Sequence, residues 1–352
     1  MARDTSHGGM QGPVYRPKHR VVRPDMIARR SSAFAYILVP TLLFLAGCAI
    51  LQEPINIADP PRAELLPAGA GKRPLVALVL SRGSARGFAH IGVIKVLEEA
   101  GIEPDIVVGS SVGSIVGVAY AAGMDARQLA PAAQKLDGAI LQDLTLPNLG
   151  VPMRGGELGV IRGERLQNYI DRLVSGCPVQ ALPRRIAVVA TDLQSGLPVA
   201  FTHGNAGLAV RASSSVPGVL VPPLVNGRLY VDGQVSSPVP VTVARRLGAD
   251  IVIAVDVTFP SDHADIANTA SVLFQSFTIA TQRIKDHELG QATVVIRPDI
   301  KTSGQLGLSD RDWLIDAGDK AARAALPVLQ AIRVAGSGKG TTQNSSLTEA
   351  AR

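Results

Sequence analysis

The sequence predicts a three-layer α/β/α domain built around a mainly parallel sheet. Leu75–Leu80 is a continuous apolar run, which is typical of a strand buried on both faces of a parallel sheet. A glycine-containing turn and a helix-like stretch follow it, and the same strand–turn–helix order recurs at Ile106–Ala122. Alternation of this kind places helices on both faces of one sheet.

The remaining elements follow from the same periodicity. Strands are predicted at Leu75–Leu80, Ile106–Val108, Ile186–Ala190, Leu197–Thr202, Arg228–Val231, Ile251–Val257 and Thr293–Ile296. Helices are predicted at His90–Ala100, Val112–Ala122, Arg162–Val174, Leu208–Ser215, 265–289 and 310–333. The globular domain is therefore expected over residues 74–333, and the polar segment 334–352 is expected to be a disordered tail.

Composition and charge exclude one class of partner. The chain has 352 residues, is 46% hydrophobic and carries a formal net charge of +6. Seven basic and two acidic side chains lie in residues 1–30, which leaves 28 basic against 27 acidic side chains in the rest. A body so near neutrality lacks the basic surface that nucleic-acid binding requires, so no nucleic-acid partner is expected.

The amino-terminal segment reads as a targeting signal. An apolar stretch, Ala33–Ala46, follows two arginines and ends at Cys48, and it is shorter than the roughly 20 residues that span a membrane. Its ending, Leu-Ala-Gly-Cys, resembles the lipobox of bacterial lipoproteins. That resemblance implies cleavage after residue 47 and acylation of Cys48, with an uncleaved membrane anchor as the alternative.

Three expectations follow from this interpretation. Translation from Met26 would give a conventional basic head, so Met26 is a candidate start. Ala49, rather than the aspartate that retains enterobacterial lipoproteins at the inner membrane, favours an outer-membrane anchor facing the periplasm. Residues 48–73 are then a flexible tether, and Cys177 is the one remaining thiol, so no intrachain disulfide is expected.

A nucleophile is predicted at Ser111. The pentapeptide Gly109-Ser110-Ser111-Val112-Gly113 lies between a predicted strand and a predicted helix, where Gly-x-Ser-x-Gly forms a sharp turn that exposes the middle serine. Serine is a weak nucleophile and needs a general base within hydrogen-bond reach. It also needs donors aimed at the oxygen that becomes negative.

The base is the less obvious partner. Two of the six histidines precede Cys48, and the other four do not follow an acid late in the chain as an α/β-hydrolase triad requires. His90 and His203 are the alternatives if a histidine acts. Asp232 ends a strand-like run and is followed by a glycine that permits close approach, although an Asp-Gly pair alone is usually a turn. Asp192 ends another such run.

Several motifs taken together resemble one family. They are Ser81–Val93, Gly109–Gly113, Ala190–Leu193, Arg211–Gly218 and Asp232-Gly233, and they occur in this order within about residues 75–330. The chain resembles the patatin-like phospholipase family, close to its bacterial lipoprotein-type branch. The resemblance implies a modified α/β-hydrolase fold with a Ser-Asp dyad, in which Ser111 is the nucleophile, Asp232 is the base and the turn after the first strand forms the oxyanion hole.

The oxyanion loop departs from the family pattern. Gly83 is the principal candidate donor, with the backbone N–H groups of Arg82, Ser84 and Ala85 beside it, and Arg82 and Ser84 stand where glycine is common. A position that needs positive φ would be strained there. Arg86 either holds a substrate anion or pairs with an internal acid to brace the loop.

Three further features near these motifs, five residues in all, are given structural or local roles. Arg211 is interpreted as a structural tie, and Ser213–Ser215 as helix or cap residues. Gln234 replaces a small residue next to Asp232. None of the three is assigned to the reaction.

The sequence therefore predicts a serine lipid acyl hydrolase without metal or cofactor, since it shows no His/Cys/acid cluster with ligand spacing. It does not choose among phospholipid, lysophospholipid, monoacylglycerol and thioester substrates. The first alternative is a catalytically weak or inactive lipid-binding envelope lipoprotein with the same fold. The second is a general esterase with a histidine-based triad.

Overall fold

The central sheet is the element that positions every candidate residue. The computed structural model describes residues 62–63, 74–134, 159, 161–258, 269–300 and 310–337. Its strands are β1 (Arg62–Ala63), β2 (Val76–Leu80), β3 (Ile106–Ser110), β4 (Arg185–Asp192), β5 (Pro198–His203), β6 (Leu224–Val225), β7 (Arg228–Asp232), β8 (Ile251–Val255) and β9 (Val294–Ile296).

Helices cover the sheet on both faces. They are α1 (Ala89–Glu99), α2 (Val112–Ala121), α3 (Ala126–Gln134), α4 (Glu164–Leu173), α5 (Ala206–Ser213), α6 (Val241–Arg246), α7 (Thr269–Leu289), α8 (Arg311–Ala324) and α9 (Leu326–Ser337). Short 3₁₀ turns occur at Ser84–Phe88, Val179–Ala181 and Gly233–Val235.

The strand order along the sheet is β1-β5-β4-β3-β2-β8-β9. Five neighbouring strands, β4, β3, β2, β8 and β9, are mutually parallel. Strands β5 and β7 each pair with β4 in the antiparallel sense. The predicted three-layer fold with a mainly parallel sheet is confirmed. In such sheets ligands bind beyond the carboxyl ends of the strands, which is where the segments after β2, β3 and β8 come together.

Side-chain alternation along the strands divides the core in two. Leu78 and Leu80 on β2 pack in the larger core with α1, α2, α4, α5 and α8. Ala77 and Val79 on the same strand face the other way and pack in a smaller core with α6. Both faces are apolar because each is covered by helices, and this explains the unbroken apolar run of the sequence.

Two predicted boundaries are corrected by the structure. The helix predicted at 310–333 is divided into α8 and α9, and Pro327 occupies the first turn of α9, where its missing N–H costs nothing. Residues 334–337 of the predicted tail are therefore helical. Arg62–Ala63, within the predicted tether, pairs with β5 as an edge strand.

Several other predictions concern residues outside the described ranges. These are the leader 1–47 with Met26, the lipidation site Cys48, and residues 338–352 of the tail. Within the described part of the chain, no helix has both the length and the apolar character needed to cross a membrane.

Candidate active site

Ser111 lies at a sharp turn between β3 and α2, as predicted. Its backbone has φ 54° and ψ −124°, a conformation that costs a non-glycine residue about 1–3 kcal/mol. A Cβ on Gly113 would lie 2.2 Å from the carbonyl oxygen of Leu80, and one on Gly109 would lie 2.5 Å from the carbonyl oxygen of Gly113. The two glycines of the pentapeptide are therefore required by packing, because the backbone of the turn lies directly against β2 and α2.

Two other serines hold this turn. The Ser111 N–H donates to Ser213 Oγ at 2.9 Å, and Ser213 Oγ donates to the Val189 carbonyl at 2.6 Å. Ser114 Oγ donates to the Ser111 carbonyl at 2.6 Å. From the sequence alone, Ser213 is predicted only as a helix or cap residue. The available signal is a run of three serines at the end of a predicted helix, within the Arg211–Gly218 motif.

Asp232 lies at the end of β7 and meets Ser111 directly. Ser111 Oγ donates to Asp232 Oδ2 at 2.8 Å, and the Gln234 N–H donates to Oδ1 at 2.8 Å. The Asp232 side chain is fully buried. A Cβ on Gly233 would lie 2.3 Å from the Val189 carbonyl oxygen, so the Asp-Gly pair permits the close approach that brings the carboxylate to the serine.

The surroundings of Asp232 suit a general base. Burial raises the pKa of its carboxyl from 3.8 to about 6, against hydrogen bonds from Gln234 and Ser111 and the positive charge of Arg82. The group is therefore mostly ionised at neutral pH and yet more basic than an exposed aspartate. Both properties are needed to accept a proton from a serine hydroxyl.

Asp192 does not reach this site. It forms an ion pair with Arg228 and accepts hydrogen bonds from the N–H groups of Gln194 and Ser195 in the β4–β5 turn. The hydrogen bond from Arg228 lowers the pKa of Asp192 to about 2. Such a carboxylate is a weak base, and its contacts are those of a turn.

The two alternative histidines are also elsewhere. His90 is buried in α1 with Nε2 3.0 Å from the Ser81 carbonyl oxygen, and burial lowers its pKa to about 4. His203 ends β5, which runs antiparallel to β4. It therefore lies toward the amino edge of the parallel strands, away from Ser111, and the histidine-triad alternative has no geometric support in the described residues.

The predicted oxyanion loop lies between β2 and α1, and only part of it is available as a donor. The Arg82 N–H donates to the Pro238 carbonyl at 3.0 Å, so Arg82 is wrong as an oxyanion donor. Gly83, Ser84 and Ala85 remain the candidates. A Cβ on Gly83 would lie 2.8 Å from the Val257 carbonyl oxygen, which explains glycine there, and Ser84 has φ 48°.

Residues 78–245, which carry β2, the oxyanion loop, Ser111 and Asp232, match the family model described as Patatin-like phospholipase. Residues 78–245 thus form a patatin-like phospholipase domain. The predicted family is thereby confirmed, and its lipoprotein branch stays a prediction.

Relatives of this patatin-like chain are found in bacteria and mammals. An uncharacterized NTE family protein of Mycobacterium bovis is 36% identical over 198 residues, covering 56% of this chain and 53% of that protein. A second, of Mycobacterium tuberculosis, is 33% identical over 282 residues, covering 71% and 46%. Patatin-like phospholipase domain-containing protein 6 of Mus musculus is 35% identical over 191 residues, covering 52% and 13%. The chain spans about half the length of the mycobacterial relatives.

Two arginines of the patatin-like domain hold loops in place. Arg86 Nη1 donates to the Thr258 carbonyl at 3.3 Å, and the charge of Asp256 attracts its guanidinium. These contacts agree with the bracing role, in which Arg86 ties the oxyanion loop to the end of β8. Arg211 Nη1 donates to Gln167 Oε1 at 3.3 Å and so links α5 to α4, as expected of a structural tie.

An apolar cleft opens beside the oxyanion loop of the patatin-like domain. The space inside it that a water-sized molecule can occupy is about 40 Å³, well below the ~300–1,000 Å³ of small-molecule sites, so the cleft must widen to admit a ligand of that size. Its lining includes Ser84 and Ala85 of the loop, Val112 next to Ser111, and Ile115, Ala132 and Tyr169 farther in. The lining is apolar from the loop inward, and Val112 brings its loop end close to Ser111 along the chain.

Metal ligation is not part of the described site. Among the residues that the structure describes, no group of three or more His, Cys, Asp and Glu side chains is placed to hold a metal ion.

Proposed function

We propose that this protein is a serine lipid acyl hydrolase, a carboxylic-ester hydrolase that uses Ser111 and Asp232 as a dyad. The observation that carries the proposal is the 2.8 Å hydrogen bond from Ser111 Oγ to a buried carboxylate whose pKa is raised to about 6. The patatin-like phospholipase domain at residues 78–245 supports lipid hydrolysis as the reaction class.

In the first half-reaction, Asp232 Oδ2 takes the proton of Ser111 while Oγ forms a bond to the acyl carbonyl carbon. The carbonyl oxygen becomes negative and is stabilised by backbone N–H groups of the Gly83 loop. The carbon–oxygen bond to the alcohol then breaks, and the alcohol leaves with the proton held by Asp232. Water repeats the sequence in the second half-reaction: Asp232 takes its proton, its oxygen attacks the acyl-enzyme, and Ser111 regains a proton as fatty acid leaves.

The apolar cleft supports a lipid acyl chain as the group transferred. Its walls are apolar and its loop end lies at Ser84 and Ala85, next to the proposed oxyanion donors. A chain bound there would present its ester carbonyl near Ser111. A lipid anchor on Cys48, in the bacterial outer membrane, would place the enzyme beside such substrates and is proposed on the lipobox resemblance alone.

The test compares the parent with Ser111→Ala and Asp232→Asn in hydrolysis of p-nitrophenyl esters and in labelling by a fluorophosphonate probe. The serine variant should lose both activities, and the aspartate variant should lose hydrolysis by about 10²–10⁴-fold, the usual contribution of a general base. Hydrolysis by Ser111→Ala at the parental rate would refute the proposed nucleophile.

A lipid-binding protein without activity is the second candidate. The observation that favours it is the depleted oxyanion loop, in which Arg82 N–H is already bonded to Pro238 and Ser84 adopts positive φ. Loss of one oxyanion donor costs about 10²–10³ in rate. A parent protein that binds lipid but is not labelled at Ser111 would establish this second function.

A further inference from the structure

Glu288 is a buried carboxyl group outside the dyad that the proposed mechanism does not use. It lies in the last turn of α7, is 1% exposed, and its pKa is raised to about 7 by burial. Ser237 Oγ donates to its Oε1 at 2.5 Å, Thr242 Oγ1 donates to the same oxygen at 2.9 Å, and the Val239 N–H donates to Oε2 at 3.1 Å. These donors are neutral, so burial of the acid carries a cost in stability.

All three donors belong to one segment, Ser237–Thr242, which we call the strap. The strap follows Asp232 after a single turn. The Ser237 N–H donates to the Gly233 carbonyl at 2.8 Å, and Gly233 lies directly against the backbone of β4. A displacement of Ser237 is therefore passed to the residue that adjoins the proposed base.

The strap also holds the oxyanion loop. The Pro238 carbonyl accepts the hydrogen bond from the Arg82 N–H at 3.0 Å, immediately before Gly83. Val239, whose N–H is held by Glu288, lies between two prolines whose rings restrict φ. The strap is therefore stiff at the point where Glu288 holds it, and a shift there moves the Pro238 carbonyl.

We propose that Glu288 is a positioning residue for acyl transfer: by holding the strap, it sets where Asp232 and the Gly83 loop lie relative to Ser111. The inference rests on the proposed function. Glu288 touches neither member of the dyad in the described structure, so its effect is transmitted through Ser237 on one side and Pro238 on the other.

The experiment measures fluorophosphonate labelling of the purified full chain, both the second-order rate constant and the end point in labels per chain. The variants are Glu288→Ala, Glu288→Gln and Ser237→Ala. The matched control is Asp250→Asn, which removes a carboxylate that accepts the Leu75 N–H at 2.8 Å at the opposite edge of the sheet. Hydrolysis of p-nitrophenyl butyrate supplies kcat and KM.

The alanine variant at position 288 should lower the labelling rate constant and kcat by about 10- to 100-fold, less than the ~10²–10³ that loss of an oxyanion donor costs. KM should stay within about twofold and the end point near one label per chain, since binding and folding are retained. Glutamine should recover part of the loss because its amide oxygen still accepts from Ser237 and Thr242. If Glu288→Ala does not fold, Ser237→Ala supplies the test, because it removes one hydroxyl donor to Glu288. It should lower the labelling rate constant and kcat as well.

A purely structural role gives a different result. It lowers the end point, because fewer chains are folded, while the rate constant of the folded chains equals that of the parent. That result, or parental rates in every variant, would overturn the inference and leave the proposed function standing. A parent protein that is not labelled at Ser111 would overturn both.

Discussion

Replacing Asp232 by asparagine should stabilise the protein at neutral pH while it removes the proposed base. Burial raises the pKa of this carboxyl from 3.8 to about 6. At about 1.36 kcal/mol per pKa unit, that difference corresponds to about 3 kcal/mol. The side chain is fully buried, so solvent does not screen the effect.

The sign follows from the proton that each state binds. Between pH 4 and pH 6 the native chain holds a proton on Asp232 that the unfolded chain has released, so stability falls as pH rises through this window. Above pH 6 the native protein bears the full free-energy cost of burying the ionised Asp232 carboxylate. Asparagine is neutral at every pH and its Oδ1 can still accept the Gln234 N–H, so it avoids that cost.

Urea denaturation of parent and Asp232→Asn at pH 8, 7, 6 and 5 measures the difference. The variant should be more stable than the parent by up to about 3 kcal/mol at pH 8, and the difference should shrink as pH falls toward 5. Asp250→Asn gives the background effect of removing a carboxylate. A variant less stable than the parent at pH 8, or a difference independent of pH, would refute the reasoning. In the parent, kcat/KM should fall about tenfold per pH unit below about 6, as protonation removes the base.

Three further outcomes are expected from the same geometry. Gly113→Ala should lower the free energy of unfolding by more than about 2 kcal/mol, because its Cβ would lie 2.2 Å from the Leu80 carbonyl oxygen; urea denaturation measures it, and parental stability would contradict it. Ser213→Ala should cost about 1–3 kcal/mol and lower kcat, since the Ser111 N–H loses its acceptor; an unchanged kcat would show that this hydrogen bond does not position the nucleophile. Ala132→Phe, in the cleft wall, should depress hydrolysis of long-chain more than short-chain p-nitrophenyl esters; equal effects would place the acyl chain elsewhere.

The parts of the fold that repeat a local rule could be predicted from the sequence. Apolar runs of strand length, with glycine turns between them, gave β2, β3 and β8, and the Gly-x-Ser-x-Gly spacing placed Ser111 between a strand and a helix. The family resemblance supplied the partnership with Asp232, whose contact spans 121 positions of the chain. No periodicity reports a contact over that distance.

The missed features depend on the tertiary arrangement. The sequence offers Arg82 as a candidate donor because the acceptor of its N–H, the Pro238 carbonyl, lies far along the chain. The sequence pattern reports only that Ser213 lies in a helix. The Val189 carbonyl, to which its Oγ donates, and the Ser111 N–H, from which its Oγ accepts, become neighbours only in the folded sheet. Glu288 lies within the helix predicted at 265–289, and its burial depends on how α7 packs against the strap, which the sequence pattern does not report. Each is a hydrogen bond between distant segments.

The complete enclosure of the Asp232 carboxylate has a consequence for the second half of the proposed reaction. In the resting protein, Ser111 Oγ donates to Oδ2. Once that oxygen is esterified it has no proton to donate, and the carboxylate faces an empty donor position inside the protein. Turnover then requires a water molecule to enter that position from the side of the partly buried Ser111, so entry of that water contributes to the lifetime of the acyl-enzyme. Substitutions that admit solvent near Ser111 should shorten that lifetime, and a tightly packed acyl chain should lengthen it.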